Sequence, residues 1–446
     1  MTKNREHWGS KLGFIIAAAG SAIGLGNLWR FPTIVGQNGG GAFVLMYLIM
    51  VFVIGIPVLI VELMIGRKTQ LNGVGAFKML RPKTPWKYVG VMGIAAGFII
   101  LSFYSVIAGW SMSYLFKFLQ GTFTGLSPAD IAQEFGSLAS HPILPVFWHG
   151  LFMVLTIGVV ILGVDKGIER WSKILMPILF VLMIILCIRS LTLDGALEGV
   201  YWLFRPDFAS VDFNAVLTAL GQVFFSLSIG MGVILTYGSY LSPEENIPGC
   251  ATYIAFADLG VALLASVAII PAVFAFGLDP ETGPSLIFLT LPAVFQSMPW
   301  GSFIGAMFFL LVTIAALTSS ISLLETVVAY FIDERKWPRS FATPICGLII
   351  FILGIFSSLS QGPLKDFKIF GLQILDFKDA LTANVMLPLG GLLMVIFVGW
   401  VMGPKNAIAE LETGGNQFAL GKVWAFLVRW VLPVAMIIIL LSGLLQ

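Results

Sequence analysis

Charge is what this sequence has least of: only 11% of its 446 residues are Asp, Glu, Lys or Arg, against 58% hydrophobic. A chain so poor in charge cannot clothe a water-soluble surface, and its apolar runs read as a polytopic membrane protein. Cysteine is nearly as scarce. Cys187, Cys250 and Cys346 each sit alone in or beside an apolar run, which excludes a disulfide framework and a thiolate metal site. The three histidines, His7, His141 and His149, fall near segment ends, and neither a zinc-binding His-x-x-x-His pair nor a nucleophile elbow is present, which argues against an enzyme. The net charge of +2 and the lack of a long basic tract give no reason to expect a nucleic-acid partner. No polar linker separates a soluble domain, so residues 1–446 read as one transmembrane unit whose partner is the lipid bilayer.

What is there begins with Gly20 to Pro32, G-S-A-I-G-L-G-N-L-W-R-F-P, inside an apolar segment from Leu12 to Val35. A signal peptide would be shorter and would not carry Asn27 and Arg30 just past its core. A helix that only spans lipid would not place Gly20, Gly24 and Gly26 beside Asn27. Each glycine costs a helix interior roughly 1 kcal/mol relative to alanine, and asparagine competes for backbone hydrogen bonds. The segment therefore reads as two half-helices joined by an unwound piece near Ala22 to Gly26. Backbone freed at membrane depth is tolerated only in protein or at a cavity, where its N–H groups can hold an anion and its carbonyls a cation. Gly20-x-x-x-Gly24 is also a helix-packing pattern, but packing explains neither Asn27 nor Arg30.

Further spans follow at about 40–65, 89–118 and 145–162, a fifth after the charged loop 165–173 and ending near 188, then 214–241, 253–276, 303–332, 344–359, 380–402 and 423–445, for a total of eleven. The intervals between them read as loops. Lys and Arg concentrate at the N-terminus and in the loops 67–87, 165–173, 333–339 and 405–422. That alternation puts the N-terminus in the cytoplasm and, with an odd count, the C-terminus outside a cell (inner, cytoplasmic) membrane. The sixth span repeats the interruption of the first, with Ser226-Leu-Ser-Ile-Gly-Met-Gly232 at mid-membrane. The two are five spans apart, so five-span halves would have opposite topologies: 10–190, 213–402, and an additional span at 419–446. Two interrupted spans at matching places in opposed halves mark transporters with a midplane site.

Several polar side chains stand at the same depth. Thr318 and Ser319 in the eighth span offer two hydroxyls that, with carbonyls of Gly20 and Ile23, would suit a monovalent hard cation. Alone, such hydroxyls usually bond their own preceding turn. Asp258 is a carboxylate within a span, costly unless it lies on an ion path or in a paired site. Glu62 and Glu325 read as caps for the orphan N–H groups of a broken helix. Tyr104, by composition alone, reads as a packing residue.

With these residues on the page the chain resembles the neurotransmitter:sodium symporter family, and within it the bacterial leucine transporter and short eleven-span bacterial transporters of hydrophobic or aromatic amino acids. The motifs that carry the resemblance are R-E-H-W at Arg5–Trp8, A-I-G-L-G-N-L-W-R-F-P at Ala22–Pro32, N-G-G-G-A-F at Asn38–Phe43, G-Q-V-F-F-S-L-S at Gly221–Ser228, L-T-S-S at Leu317–Ser320 and K-G-I-E-R at Lys166–Arg170. They span essentially the whole chain. The midplane-site pattern is itself drawn from transporters of this kind, so it and the resemblance are not independent. The resemblance implies an all-α leucine-transporter-type fold with two five-helix inverted repeats. It implies two sodium ions, the first held by Ala22, Asn27 and Ser226 and the second by Gly20, Ile23, Ala315, Thr318 and Ser319. The carboxylate of an L-amino-acid substrate would meet Leu25, Gly26 and Tyr104, and its ammonium Ala22, Phe225, Ser226 and Ser228. Ile100, Tyr104, Phe225, Met231, Ser319 and Leu323 would line the side-chain pocket. Arg30 with Asp379, over Tyr104 and Phe225, would form the outer gate, with Asp376 one turn away as the alternative acid. Arg5, Trp8, Ser239, Tyr240 and Asp333 would form the inner gate.

In two places the chain departs from, or adds to, that pattern. Asp258 follows Ala257 where the family usually has Asn. It reads as a further ligand of the first sodium whose fixed charge replaces chloride, which Tyr47, Gln222 and Ser226 would otherwise help to bind, so no chloride is expected. Gly167 and Pro177 bracket nine residues at the start of the fifth span, a segment expected to unwind at low cost and release the second sodium. The reading is a sodium-coupled, chloride-independent importer of hydrophobic L-amino acids by alternating access. Its rivals are a proton-coupled permease of the same fold, against which Thr318 and Ser319 argue, and a non-transporting amino-acid sensor, against which the paired gates argue.

Overall fold

The computed structural model describes residues 6–208, 211–277 and 287–445. Eight helices are long and apolar enough to cross a membrane. A bent pair, Lys11–Ala22 with Gly26–Gln37, the helix Leu144–Val160 and the shorter apolar helix Phe213–Ser226 bring the spans to eleven. The sequence-derived spans lie on these elements, mostly with longer ends: the third is Lys87–Leu119, the eighth Gly301–Arg335, and the tenth starts at Ile374. The eighth has 89% of its apolar window buried and runs along the third, whereas the eleventh, 28% buried, stands at the rim. The first span starts, and the sixth ends, on the side that carries the N-terminus, where Trp8 meets Tyr237 and Tyr240. The first and second sets of five spans thus run in opposite senses.

Both interruptions are present. The first span bends by 50° at Ile23–Leu25 and resumes through a wide turn, Gly26–Arg30. In the sixth, the helix stops at Ser226 and restarts at Val233, with Ser228 (φ 55°), Gly230 (φ 85°) and Gly232 (φ 71°) in the left-handed region. Glycine adopts that region without strain and serine does so rarely. The Gly230 N–H freed by this break donates to Glu62 Oε1 at 2.7 Å, so Glu62 is the capping carboxylate expected. Glu325 is not: it accepts from Tyr240 Oη at 2.6 Å and pairs with Arg339 at 2.5 Å. Its partners are side chains brought together by the fold, not backbone of a broken helix.

The intervals read as loops hold more structure than expected. Pro128–Ser140 is a helix opened by a reciprocal cap, with Asp130 N donating to Ser127 Oγ and Ser127 N to Asp130 Oδ2. Ala196–Phe204 and Thr290–Gln296 are helices too, and Lys368–Ile369 pairs with Leu372–Gln373 as a two-residue antiparallel hairpin. These segments were hidden because their apolar stripes are short and broken by polar residues. The start of the fifth span is fully wound here. A wide turn, Val164–Glu169, leads into the helix Arg170–Leu191, which passes through Pro177 without a break.

Candidate functional site

The unwound piece of the first span leaves backbone groups without helical partners, and neighbouring spans meet them. Ser21 O accepts from Ser319 Oγ at 3.0 Å and from Ser228 Oγ at 3.3 Å. Gly26 O accepts from Gln222 Nε2 at 2.9 Å, and Leu25 N donates to Tyr104 Oη at 3.2 Å. Gly24 N donates to Asn27 Oδ1 at 3.1 Å, so the asparagine that weakens the helix also caps the break.

Asp258 is fully buried beside this break. Its carboxylate accepts from Asn27 Nδ2 at 2.7 Å and from Ser226 Oγ at 2.8 and 2.9 Å. The Tyr47 hydroxyl lies close to both Asp258 and Ser226. Among the described residues no Lys, Arg or His pairs with Asp258. A buried carboxylate held only by neutral donors wants a cation. Asn27, Ser226 and Asp258 are thus brought together, with Ala22 at the end of the half-helix beside them.

The second set gathers where the first span crosses the eighth. Ser319 Oγ lies 3.5 Å from Ile23 O, Thr318 Oγ1 donates to Ala315 O at 3.0 Å, and a side-chain carbon on Gly20 would stand 3.5 Å from Thr318 Cβ. The same carbon would sit 3.1 Å from Met176 Sδ, so the fifth span covers this place through the residue before Pro177.

Between the two sets lies a small cavity lined by Ala22, Gly26, Ile100, Tyr104, Phe225, Ser228, Met231, Ser319 and Leu323, all expected, and by Ser21 and Gly24, which were not. Leu25 and Ser226 do not line it. Leu25 turns its N–H to Tyr104, and Ser226 turns its hydroxyl to Asp258. A side-chain carbon on Gly24 would stand 2.8 Å from Tyr104 Oη, so only glycine fits. Ser21 and Gly24 stand within the singled-out stretch, and the glycine-rich run was the signal for them.

On the side away from the N-terminus, the Arg30 guanidinium lies over the Phe225 ring at 4.7 Å, a cation–π contact above the cavity. Of the two candidate acids, Asp379 is half-buried and Asp376 is exposed, and among the described residues neither forms an ion pair with Arg30. On the N-terminal side, Trp8 Nε1 donates to Tyr237 O at 3.0 Å, its ring sits edge-on to Tyr237 at 5.1 Å, and Trp8 N reaches Tyr240 O at 3.3 Å. Asp333 Oδ2 accepts from Asn72 N at 2.9 Å, while Ser239 Oγ bonds back to Thr236 O at 2.6 Å. Arg5 lies outside the described residues. Sequence reasoning missed Arg339, which joins Glu325 at 2.5 Å to Glu6 at 2.9 Å, and it missed Glu6 and Glu169, which hold Val164 N and Gly9 N.

A family model of the sodium:neurotransmitter symporters matches residues 5–127 and 146–446. The chain belongs to that family. Symporters of this kind are secondary transporters and not enzymes, and this member is a sodium-dependent, multi-pass membrane transporter. It is 43% identical over 438 residues to the uncharacterized sodium-dependent transporter YhdH of Bacillus subtilis, covering 98% of this chain and 97% of that one. An uncharacterized sodium-dependent transporter of Haemophilus influenzae is 37% identical, with 99% of each covered. Among solved structures, the crystal structure of MhsT in complex with L-phenylalanine superimposes with a TM-score of 0.91 at 47% identity, covering 99% of this chain and all of that one. The symporter therefore has the leucine-transporter-type fold.

Proposed function

We propose that this symporter imports hydrophobic L-amino acids, aromatic ones included, with two sodium ions and without chloride. The observation that carries the reading is Asp258: a fully buried carboxylate, bonded to Asn27 and Ser226 and, among the described residues, paired with no basic side chain. In this reading Asn27, Ser226, Asp258 and the Ala22 carbonyl hold the first sodium. The carboxylate supplies the fixed negative charge that an added chloride would otherwise bring. Gly20, Ile23, Ala315, Thr318 and Ser319 hold the second. The substrate carboxylate meets Leu25, Gly26 and Tyr104. Its ammonium faces the carbonyls of Ala22, Phe225 and Ser226 and the hydroxyl of Ser228.

The side-chain end of the cavity is apolar, walled by Ile100, Phe225, Met231 and Leu323. Met231 is unbranched and adapts to differently shaped guests. The L-phenylalanine bound to MhsT supports an aromatic substrate here. We also place the N-terminus in the cytoplasm and the C-terminus outside a cell membrane, with 10–190 and 213–402 as the two repeats and 419–446 as the added span. The motion between states would be alternating access, Arg30 and Asp379 closing the outer side over Tyr104 and Phe225. Arg5, Trp8, Ser239, Tyr240 and Asp333 would close the inner side.

Purified protein in proteoliposomes tests this directly. A sodium gradient should drive uptake of radiolabelled phenylalanine or leucine, with hydrophobic amino acids competing best among the twenty. Gluconate in place of chloride should leave the rate unchanged. Uptake that follows a proton gradient without sodium, or binding without counterflow, would overturn the reading.

A further inference from the structure

On the face that carries the N-terminus, the connection between the second and third spans forms an open cleft lined by Lys78, Arg81, Lys83, Thr84, Pro85, Lys87 and Tyr88. Four of these seven residues are cations. Between Glu62 and Asp130 the chain has no Asp or Glu at all, so nothing within the connection balances them. Neighbouring elements balance one: Glu334, at the end of the eighth span, pairs with Lys78 at 2.5 Å. Arg81 Nη2 donates to Val401 O at 2.7 Å, which fixes its guanidinium at the end of the tenth span and leaves its charge unpaired. Lys83 and Lys87 have no carboxylate partner among the described residues, and Lys87 lies over the Tyr88 ring at 5.1 Å. Lys83 lines the cleft from a left-handed backbone (φ 59°), a conformation that glycine or asparagine adopts more readily.

The cleft also has a definite depth. Trp86 packs on Phe397 at 5.1 Å, and Tyr88, beside it in sequence, is exposed. Tyrosine and tryptophan concentrate at the level of lipid headgroups. Met79, between Lys78 and Arg81 in sequence, and Val91, just past Tyr88, are exposed apolar residues that offer surface for acyl chains. A cluster of unbalanced cations at headgroup level, bordered by exposed apolar surface, matches the chemistry of a phosphodiester anion with two fatty tails. A soluble anion would use the cations and gain nothing from the apolar border.

We propose that this cleft binds the headgroup of an anionic phospholipid, with Lys83 and Lys87 as the residues that hold its phosphate. The excess of cations on this face, which fixes topology, does not by itself make a site. Convergence of four of them on one cleft with three left unpaired does. The test is native mass spectrometry of the full-length protein titrated with dioleoylphosphatidylglycerol in detergent micelles. Wild type should retain one lipid that the double variant Lys83→Gln/Lys87→Gln binds about thirty-fold more weakly, as expected for two interfacial charges. Lys83→Arg/Lys87→Arg should bind as wild type does. Lys405→Gln/Lys422→Gln removes the same charge from exposed positions that do not line the cleft and should leave the lipid in place. An equal loss in that control would show a diffuse field and overturn the site. Displacement of the lipid by an equal concentration of inorganic phosphate would overturn the choice of a lipid.

Discussion

Asp258 is a fully buried carboxylate with which, among the described residues, no basic side chain pairs. Its three donor contacts come from an amide and a hydroxyl, which orient the carboxylate but do not neutralise it. Opposite charges 4 Å apart interact by roughly 4 kcal/mol at an effective dielectric of 20, so in the proposed first site this carboxylate would be the strongest single ligand of the sodium ion. Asp258→Asn keeps the shape and removes the charge. It should weaken apparent sodium affinity at least ten-fold in sodium-dependent substrate binding, and high chloride should restore part of the loss. Unchanged sodium affinity in the variant would show that the ion sits elsewhere. At this scale the sequence was informative wherever chemistry is written in a side chain: Asp258, Asn27, Thr318 and Arg30 were all legible. It was less so for Ser21, whose main contribution is a backbone carbonyl, and for Met176, an ordinary apolar residue until the fold sets it against Gly20.

At the scale of elements, the breaks in the first and sixth spans were readable because lipid tolerates freed backbone only under special conditions, and glycine, asparagine and serine announce it. The helices outside the membrane were not readable in that way. Pro128–Ser140 carries its start signal at Ser127 and Asp130, but its polar face breaks the run of apolar residues that marks a span. The fifth span presents the opposite case. It is wound through Pro177 in this conformation, yet Pro177 leaves Lys173 O without its helical donor, and Gly167 sits in the wide turn that opens the span. If this segment unwinds to release the second sodium, Met176 is the lid that moves with it. Pro177→Ala removes a defect worth about 3 kcal/mol in a helix interior and stiffens the segment. Uptake should slow roughly ten-fold, while equilibrium substrate binding in sodium stays near wild type. Full transport in the variant, or binding lost in step with transport, would refute the gating role.

Across the whole molecule, closure of the N-terminal side depends on contacts that no local reading of the sequence contains. Arg339, at the start of the ninth span, reaches Glu325 of the eighth and Glu6 of the N-terminal segment, 333 residues away. Glu6 also accepts Val164 N at the start of the fifth span, and Glu169, five residues on, accepts Gly9 N and Ser10 Oγ. The network ties the N-terminal segment to three spans at once, so that Trp8 can seat between Tyr237 and Tyr240. Its center is Glu325, fully buried and held by Arg339 and by the Tyr240 hydroxyl. Removing one partner of such a pair leaves the other charge buried and uncompensated, a penalty of about 3–5 kcal/mol. That penalty is relieved if water enters from the N-terminal side, which is the open state. Arg339→Gln should therefore shift the molecule toward opening there without touching the cavity. In a background with the three native cysteines replaced, a single cysteine at Ser239 should react at least ten-fold faster with a maleimide, and sodium should no longer protect it. Glu325→Gln added to Arg339→Gln removes the stranded charge and should bring the reaction rate most of the way back. Equal reactivity in wild type and Arg339→Gln, or no recovery in the double variant, would mean that closure rests on Trp8 and the span contacts alone.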